Sequence, residues 1–164
     1  MEDVYFSVKS YLNTETLVFL KNYYGYEYNL RDNEKDKSIS HNITKDLFLN
    51  CINAYYLIYD LLKEYNDKNL IEWLTKDRFI LLIGWFSRIN ENFTTKMELT
   101  EEFYKLIEYC DFNGRLGELW ADIIFSNIKK RNFRIAIMFS KIINVLFNSM
   151  ILRKFYRKLY NKPH

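Results

Sequence analysis

Few residues in this chain could do chemistry, and their spacing suits it poorly. There are two histidines, His41 and His164, and no pair one helical turn apart that could hold a metal. Cys51 and Cys110 could act as nucleophiles only beside a base, and His41 is the internal candidate. Both thiols sit in apolar helical patterns, where burial raises the pKa and suppresses the thiolate; they read as small buried hydrophobes. Glu118 and Asp122, one turn apart, could hold a hard cation or divide acid and base roles, but a solvated acidic face explains them equally well. With four Gly and one Pro in 164 residues, no phosphate loop or dinucleotide fingerprint is present. The sequence predicts no enzyme, no cofactor and no metal site, and points to a protein that works by binding.

The elements that would build a binding surface are helices. A chain of 164 residues makes one domain. Its 49% hydrophobic content supports a buried core, and scarce Gly and Pro leave little for hairpins. A heavy use of Asn, Lys, Ile, Tyr and Phe suggests an AT-rich genome. Residues 3–24 carry apolar side chains at helical spacing, with a break at Asn13-Thr14. Residues 25–43 read as a solvated, mobile loop.

Thr44 caps a helix to about Tyr65, with Asp46 in its first turn. Two apolar rows run along it: Leu47, Cys51, Ala54, Ile58, Leu61 and Tyr65, and, some 100° round, Phe48, Ile52, Tyr55 and Tyr59 with Leu62. One row suffices for a core, so the second is either further core or a docking surface. A short helix near 69–75 precedes a central helix over 76–91, apolar nearly all round, with Gly84 permitting close helix approach. A capping box of Thr95 and Glu98 opens the next helix. Asp111-Phe112-Asn113-Gly114 is a turn, and a further helix runs from Arg115 to about Lys130. The expected fold is an all-α, single-domain helical bundle, its body spanning 1–130.

The charge is segregated. Residues 1–127 hold 14 Lys/Arg against 21 Asp/Glu, whereas 128–164 hold ten Lys/Arg and no acid. Residues 135–152 are apolar but for Ser140, Lys141, Asn144, Asn148 and Ser149. Of these, Ser140, Lys141, Asn144 and Asn148 share one narrow helical stripe. Basic residues flank the stretch: Lys129, Lys130, Arg131 and Arg134 before it, Arg153, Lys154, Arg157 and Lys158 after. As a helix it would be about 27 Å long, marginal for a bilayer core of about 30 Å. Its readings are a packed or amphipathic helix, a C-terminal membrane anchor on an anionic membrane, or, ranked third, an RNA-binding tail. Asn42-Ile43-Thr44 and Asn92-Phe93-Thr94 fit the glycosylation sequon. Met1-Glu2-Asp3 does not open a signal peptide, so an intracellular chain is expected.

The layout resembles the poxviral Bcl-2-like apoptosis inhibitors. Ser7-Val8-Lys9-Ser10-Tyr11-Leu12-Asn13 looks like their opening helix. Thr75-Lys76-Asp77-Arg78-Phe79-Ile80-Leu81-Leu82-Ile83 is similar to their Asn-Trp-Gly-Arg motif and the apolar central helix that follows. The resemblance implies a groove that captures amphipathic pro-apoptotic BH3 helices. Phe48, Ile52, Tyr55 and Tyr59 would form a wall, and Trp73, Phe79 and Leu82 the floor. Arg78 would pair with the ligand's Asp. It also implies insertion of 135–152 into the host mitochondrial outer membrane; without that the chain would be cytoplasmic. The residues leave two alternatives: a structural subunit of an organellar ribosome or membrane complex, and a viral or phage protein that inhibits a host protein by direct binding.

Overall fold

In the computed structural model, which describes residues 2–14 and 43–148, the described residues form six helices and no strand. These are α1 (Glu2–Leu12), α2 (Lys45–Tyr65), α3 (Lys68–Arg88), α4 (Phe93–Tyr109), α5 (Leu119–Lys129) and α6 (Phe133–Asn148). The expected apolar segment beyond Thr14, all of the expected loop at 25–43 but Ile43, and the tail from 149 onward lie outside the described residues.

Local chemistry sets most helix ends. Thr44 accepts from the Leu47 amide and starts α2, as its sequence position predicts. At the other end Asn66 takes a left-handed φ of 53°, and Asp67 accepts from the Leu70 amide to start α3. Asn and Asp are suited to those two roles, so a two-residue turn folds α2 back against α3. The expected division into a short helix at 69–75 and a central one at 76–91 is not seen; α3 is continuous. Thr75, at the expected break, is accommodated within the helix by donating to the Ile71 carbonyl at 2.6 Å.

The cap of α4 is also not the expected one. Asn92, from the second sequon, accepts from the Thr95 amide at 2.9 Å. Thr95 therefore sits inside the helix, and Glu98 pairs with Lys45 across the surface at 3.0 Å. Helix α5 begins at Leu119 rather than Arg115. Gly117 has φ of +91°, and the Leu116 and Gly117 amides donate to the two Asp122 carboxylate oxygens at 2.7 and 3.3 Å. Asp122 is thus committed to ending the preceding loop, which removes it from an acid–base or cation pair with Glu118.

The core is organised round Phe79 of α3. Its ring lies 5.5 Å from Phe103 of α4, 5.6 Å from Phe112 of the 111–114 turn, 5.8 Å from Phe125 of α5 and 6.0 Å from Tyr55 of α2. These separations suit edge-on and tilted aromatic packing. Phe48 extends the cluster to Phe86 and Phe103. In the 111–114 turn, Gly114 is required because a Cβ there would come within 2.9 Å of the Phe112 ring.

Helix α6 packs against α3, α4 and α5, with Ala136, Ile137 and Ser140 buried. It is part of the bundle, not an appendage beyond residue 130. Helix α1 packs on α2.

Two stability measurements follow from this packing. Phe79→Ala empties the point where five elements meet and is expected to cost about 3–5 kcal/mol in denaturant unfolding. Gly84 does not serve the close approach expected of it, because a methyl there would meet only the Trp120 ring at 3.7 Å, an ordinary contact. Gly84→Ala is therefore expected to stabilise the chain by roughly 0.5–1 kcal/mol, seen as a higher Tm.

Candidate functional site

The eight residues assigned to a groove are divided between core and surface, and Tyr59 alone among them lines the cleft beside the 110–114 turn. Phe48, Ile52, Tyr55, Tyr59, Phe79 and Leu82 are buried in the core. The phenol tips that made the second α2 row ambiguous are satisfied internally. Tyr55 donates to Thr75 Oγ1 at 2.8 Å, and Tyr59 to the Cys110 carbonyl at 2.7 Å. This is how core tyrosines behave; the row is core. Trp73 is 63% exposed and, about 120° and 180° round the helix from the buried Phe79 and Leu82, cannot share a floor with them. Arg78 pairs with its neighbour Asp77 at 2.8 Å, and its Nε has no hydrogen-bond partner among the described residues.

Among the described residues, a continuous exposed apolar surface lies on α6. Ile135, Met138, Ile142, Val145 and Leu146 are all exposed, Met138 at 52% and Val145 at 67%. At 100° per residue they occupy about 100° of arc. The opposite side turns Ser140 and Asn144 of the polar stripe toward the bundle. Ser140 is fully buried and donates to the Ile137 carbonyl at 2.8 Å, and Asn144 is half-buried. The helix faces the bundle with Ala136, Ile137 and Ser140, flanked by the partly buried Phe133, Phe139 and Ile143, and turns a second apolar face outward. Other exposed apolar residues, such as Phe6, Leu57 and Leu119, are scattered over different helices, which is common on any protein surface. Sequence reasoning recorded the apolar stretch and its polar stripe but had no means to tell which side faced the core.

Two of the basic residues preceding α6 are held by the fold. Lys129 donates to the Phe112 carbonyl at 3.3 Å and to Asn113 Oδ1, which pins the 111–114 turn. Arg131 stacks over the Tyr104 ring at 4.5 Å. Lys130 and Arg134 are exposed, as is Lys141 within α6. Arg134 and Lys141 border the apolar arc on one edge. Arg153, Lys154, Arg157 and Lys158 lie outside the described residues. Among the described residues no helix is long and apolar enough to cross a membrane. The inner face of α6 is committed to the bundle, so its part of the expected anchor cannot leave without opening three helix interfaces.

A lysine that sequence reasoning passed over, Lys96, is buried on α4. Its ammonium lies 5.3 Å over the Phe86 ring and 3.5 Å from the Phe86 carbonyl. Burial, with Lys141 as a second cause, pushes its pKa down to about 8. Burial likewise pushes the Cys110 thiol up to about 12 and raises Cys51, so neither offers a thiolate at neutral pH. An open cleft of about 570 Å3 runs between the end of α2, the start of α3 and the 110–114 turn. Its walls mix Lys63 and Lys68 with Glu72 and Asp111, and they do not include Arg78.

No family model, curated protein or solved structure matches the chain.

The depressed Lys96 pKa has a testable consequence. The unfolded chain holds that proton to about pH 10.5, whereas the folded chain releases it from about pH 8. Below pH 8 both states are protonated and the burial cost is constant; above it the unfolded state binds more protons, so stability rises. Cys110 and Cys51 oppose the rise from about pH 9, since their thiols are held protonated in the fold. Unfolding free energy is therefore expected to increase from pH 7.5 to 9, and Lys96→Met to raise stability at pH 7.5 and flatten that slope. An unchanged slope in the variant would remove Lys96 as its source.

Proposed function

We propose that this chain is a non-catalytic helical module that works by docking the outer face of α6 onto a partner surface. The observation that carries the reading is the second, exposed apolar face of that helix. Five adjacent aliphatic side chains face water while a serine is fully buried beneath them. Leaving such a strip in water forgoes roughly 25 cal/mol for each Å2 that a partner could cover, and contiguous apolar strips mark interaction sites. The raised thiol pKa values and the structural role of Asp122 weigh against the nucleophile and the cation pair that the sequence left open.

The narrower reading, a Bcl-2-like inhibitor that sequesters BH3 helices at the mitochondrial surface, draws on the resemblance of layout. It calls for a groove along α2, and that row is core. Admitting a ligand helix there would separate Tyr55 and Phe48 from the rings around Phe79. Titration of the full chain with BH3 peptides is therefore expected to give no Kd below about 10 μM, a free energy of roughly −7 kcal/mol. Tight binding would restore the groove.

The docking reading is tested by fractionating cells that express the full chain. Wild type is expected in a membrane or high-mass fraction, and Met138→Asp with Ile142→Asp as a folded free monomer by circular dichroism. A wild type that also runs as a free monomer ends the reading.

A further inference from the structure

Taking the docking role of α6 as given, we infer that its partner is an anionic lipid surface, with the helix lying in the membrane plane. The choice rests on charge, side-chain chemistry and helix geometry. Residues 128–164 carry ten Lys/Arg and no Asp or Glu, so no carboxylate borders the apolar arc from its own helix. Arg134 and Lys141 stand on one edge of the arc, with Lys130 just before α6, all exposed. A second copy docking α6 on α6 would bring these cations together with nothing to neutralise them. A bilayer containing anionic lipid offers negative charge at headgroup level and hydrocarbon just below it.

The arc consists of Ile, Met, Val and Leu, without the Tyr or Trp that dominate protein-binding hot spots. Aliphatic side chains suit the acyl boundary, and long basic side chains at the edge reach up to phosphates while their stems stay apolar. An interfacial helix buries its apolar face about 5–10 Å deep, roughly the reach of these side chains. Helix α6 is 16 residues long, about 24 Å at its ordinary rise. Its inner face stays on the bundle, so in-plane contact leaves the core intact where spanning would open it. The acidic body, with 21 Asp/Glu against 14 Lys/Arg in residues 1–127, would be repelled by the same surface. That orients the chain with α6 down.

The test is flotation of the full chain with vesicles of phosphatidylcholine alone, or with roughly a quarter phosphatidylserine. Binding is expected to the anionic vesicles only and to weaken as salt is raised. Arg134→Gln with Lys141→Gln should lower it by roughly thirty-fold, at about tenfold or less for each charge. Ile142→Asp with Val145→Asp should abolish it, with Tm unchanged in both variants. A Val145→Cys variant bearing an environment-sensitive dye gives a second readout, because both native thiols are buried. Its emission should shift to the blue on anionic vesicles. Equal binding to both vesicle types, or no binding, overturns the inference, as does binding that survives the aspartate variants and so belongs to basic residues elsewhere. Absence of vesicle binding together with a high-mass cellular complex would indicate a protein partner, refuting the lipid while leaving the docking role. Absence of both removes the two together.

Discussion

The structure depends on the aromatic junction at Phe79, where α2, α4, α5 and the 111–114 turn meet the middle of α3. Tyr55 packs on that ring and sends its hydroxyl to Thr75, and Tyr59 closes the same side by bonding the Cys110 carbonyl. Each of these groups would be costly to bury alone. Paired, they let α2 turn both of its apolar rows toward its own chain. The α2–α3 face is consequently filled from within.

A bundle closed in this way has consequences for its last helix. Helix α6 must fit against three others, and it offers them Ala136, Ile137 and Ser140 with the partly buried Phe133, Phe139 and Ile143. Ser140 introduces no unpaired group, since its hydroxyl returns to the Ile137 carbonyl. With that face packed, Ile135, Met138, Ile142, Val145 and Leu146 are left outside. The basic residues divide in the same manner. Lys129 and Arg131 serve the fold through a carbonyl clamp and a ring contact. Arg134 and Lys141 remain at the rim of the apolar arc, available to an acidic surface.

Much of the architecture was legible in the residues. Period and capping chemistry identified α2 from Thr44 to Tyr65, the buried middle of α3, the 111–114 turn and the helical character of the first part of 135–152. Other features depended on tertiary contacts. The continuity of α3 rests on Thr75 finding Ile71 and Tyr55. The choice of Asn92 over Thr95 as cap rests on backbone geometry that two capping residues three positions apart leave open. Both rows of α2 are apolar in sequence, and only partners on other elements, those of the Tyr55 and Tyr59 hydroxyls among them, make the second row core as well. The orientation of α6 stayed open for a similar reason: only contacts with the bundle decide that Ser140 packs inward while Lys141 of the same stripe stays exposed. Lys96 carried no sequence signal, because its burial comes from the end of α3 and from α6.

The account stands on the orientation of α6, and paired substitutions on its two sides test that most directly. Denaturant unfolding of Ile137→Asp and Ile142→Asp should differ sharply. The first places a carboxylate against the packed face and is expected to lose several kcal/mol, about 3 or more. The second faces solvent and is expected to stay within about 0.5 kcal/mol of wild type. Equal losses at the two positions, or a greater loss at Ile142, would mean that the apolar arc belongs to the core and that the surface proposed for docking does not exist.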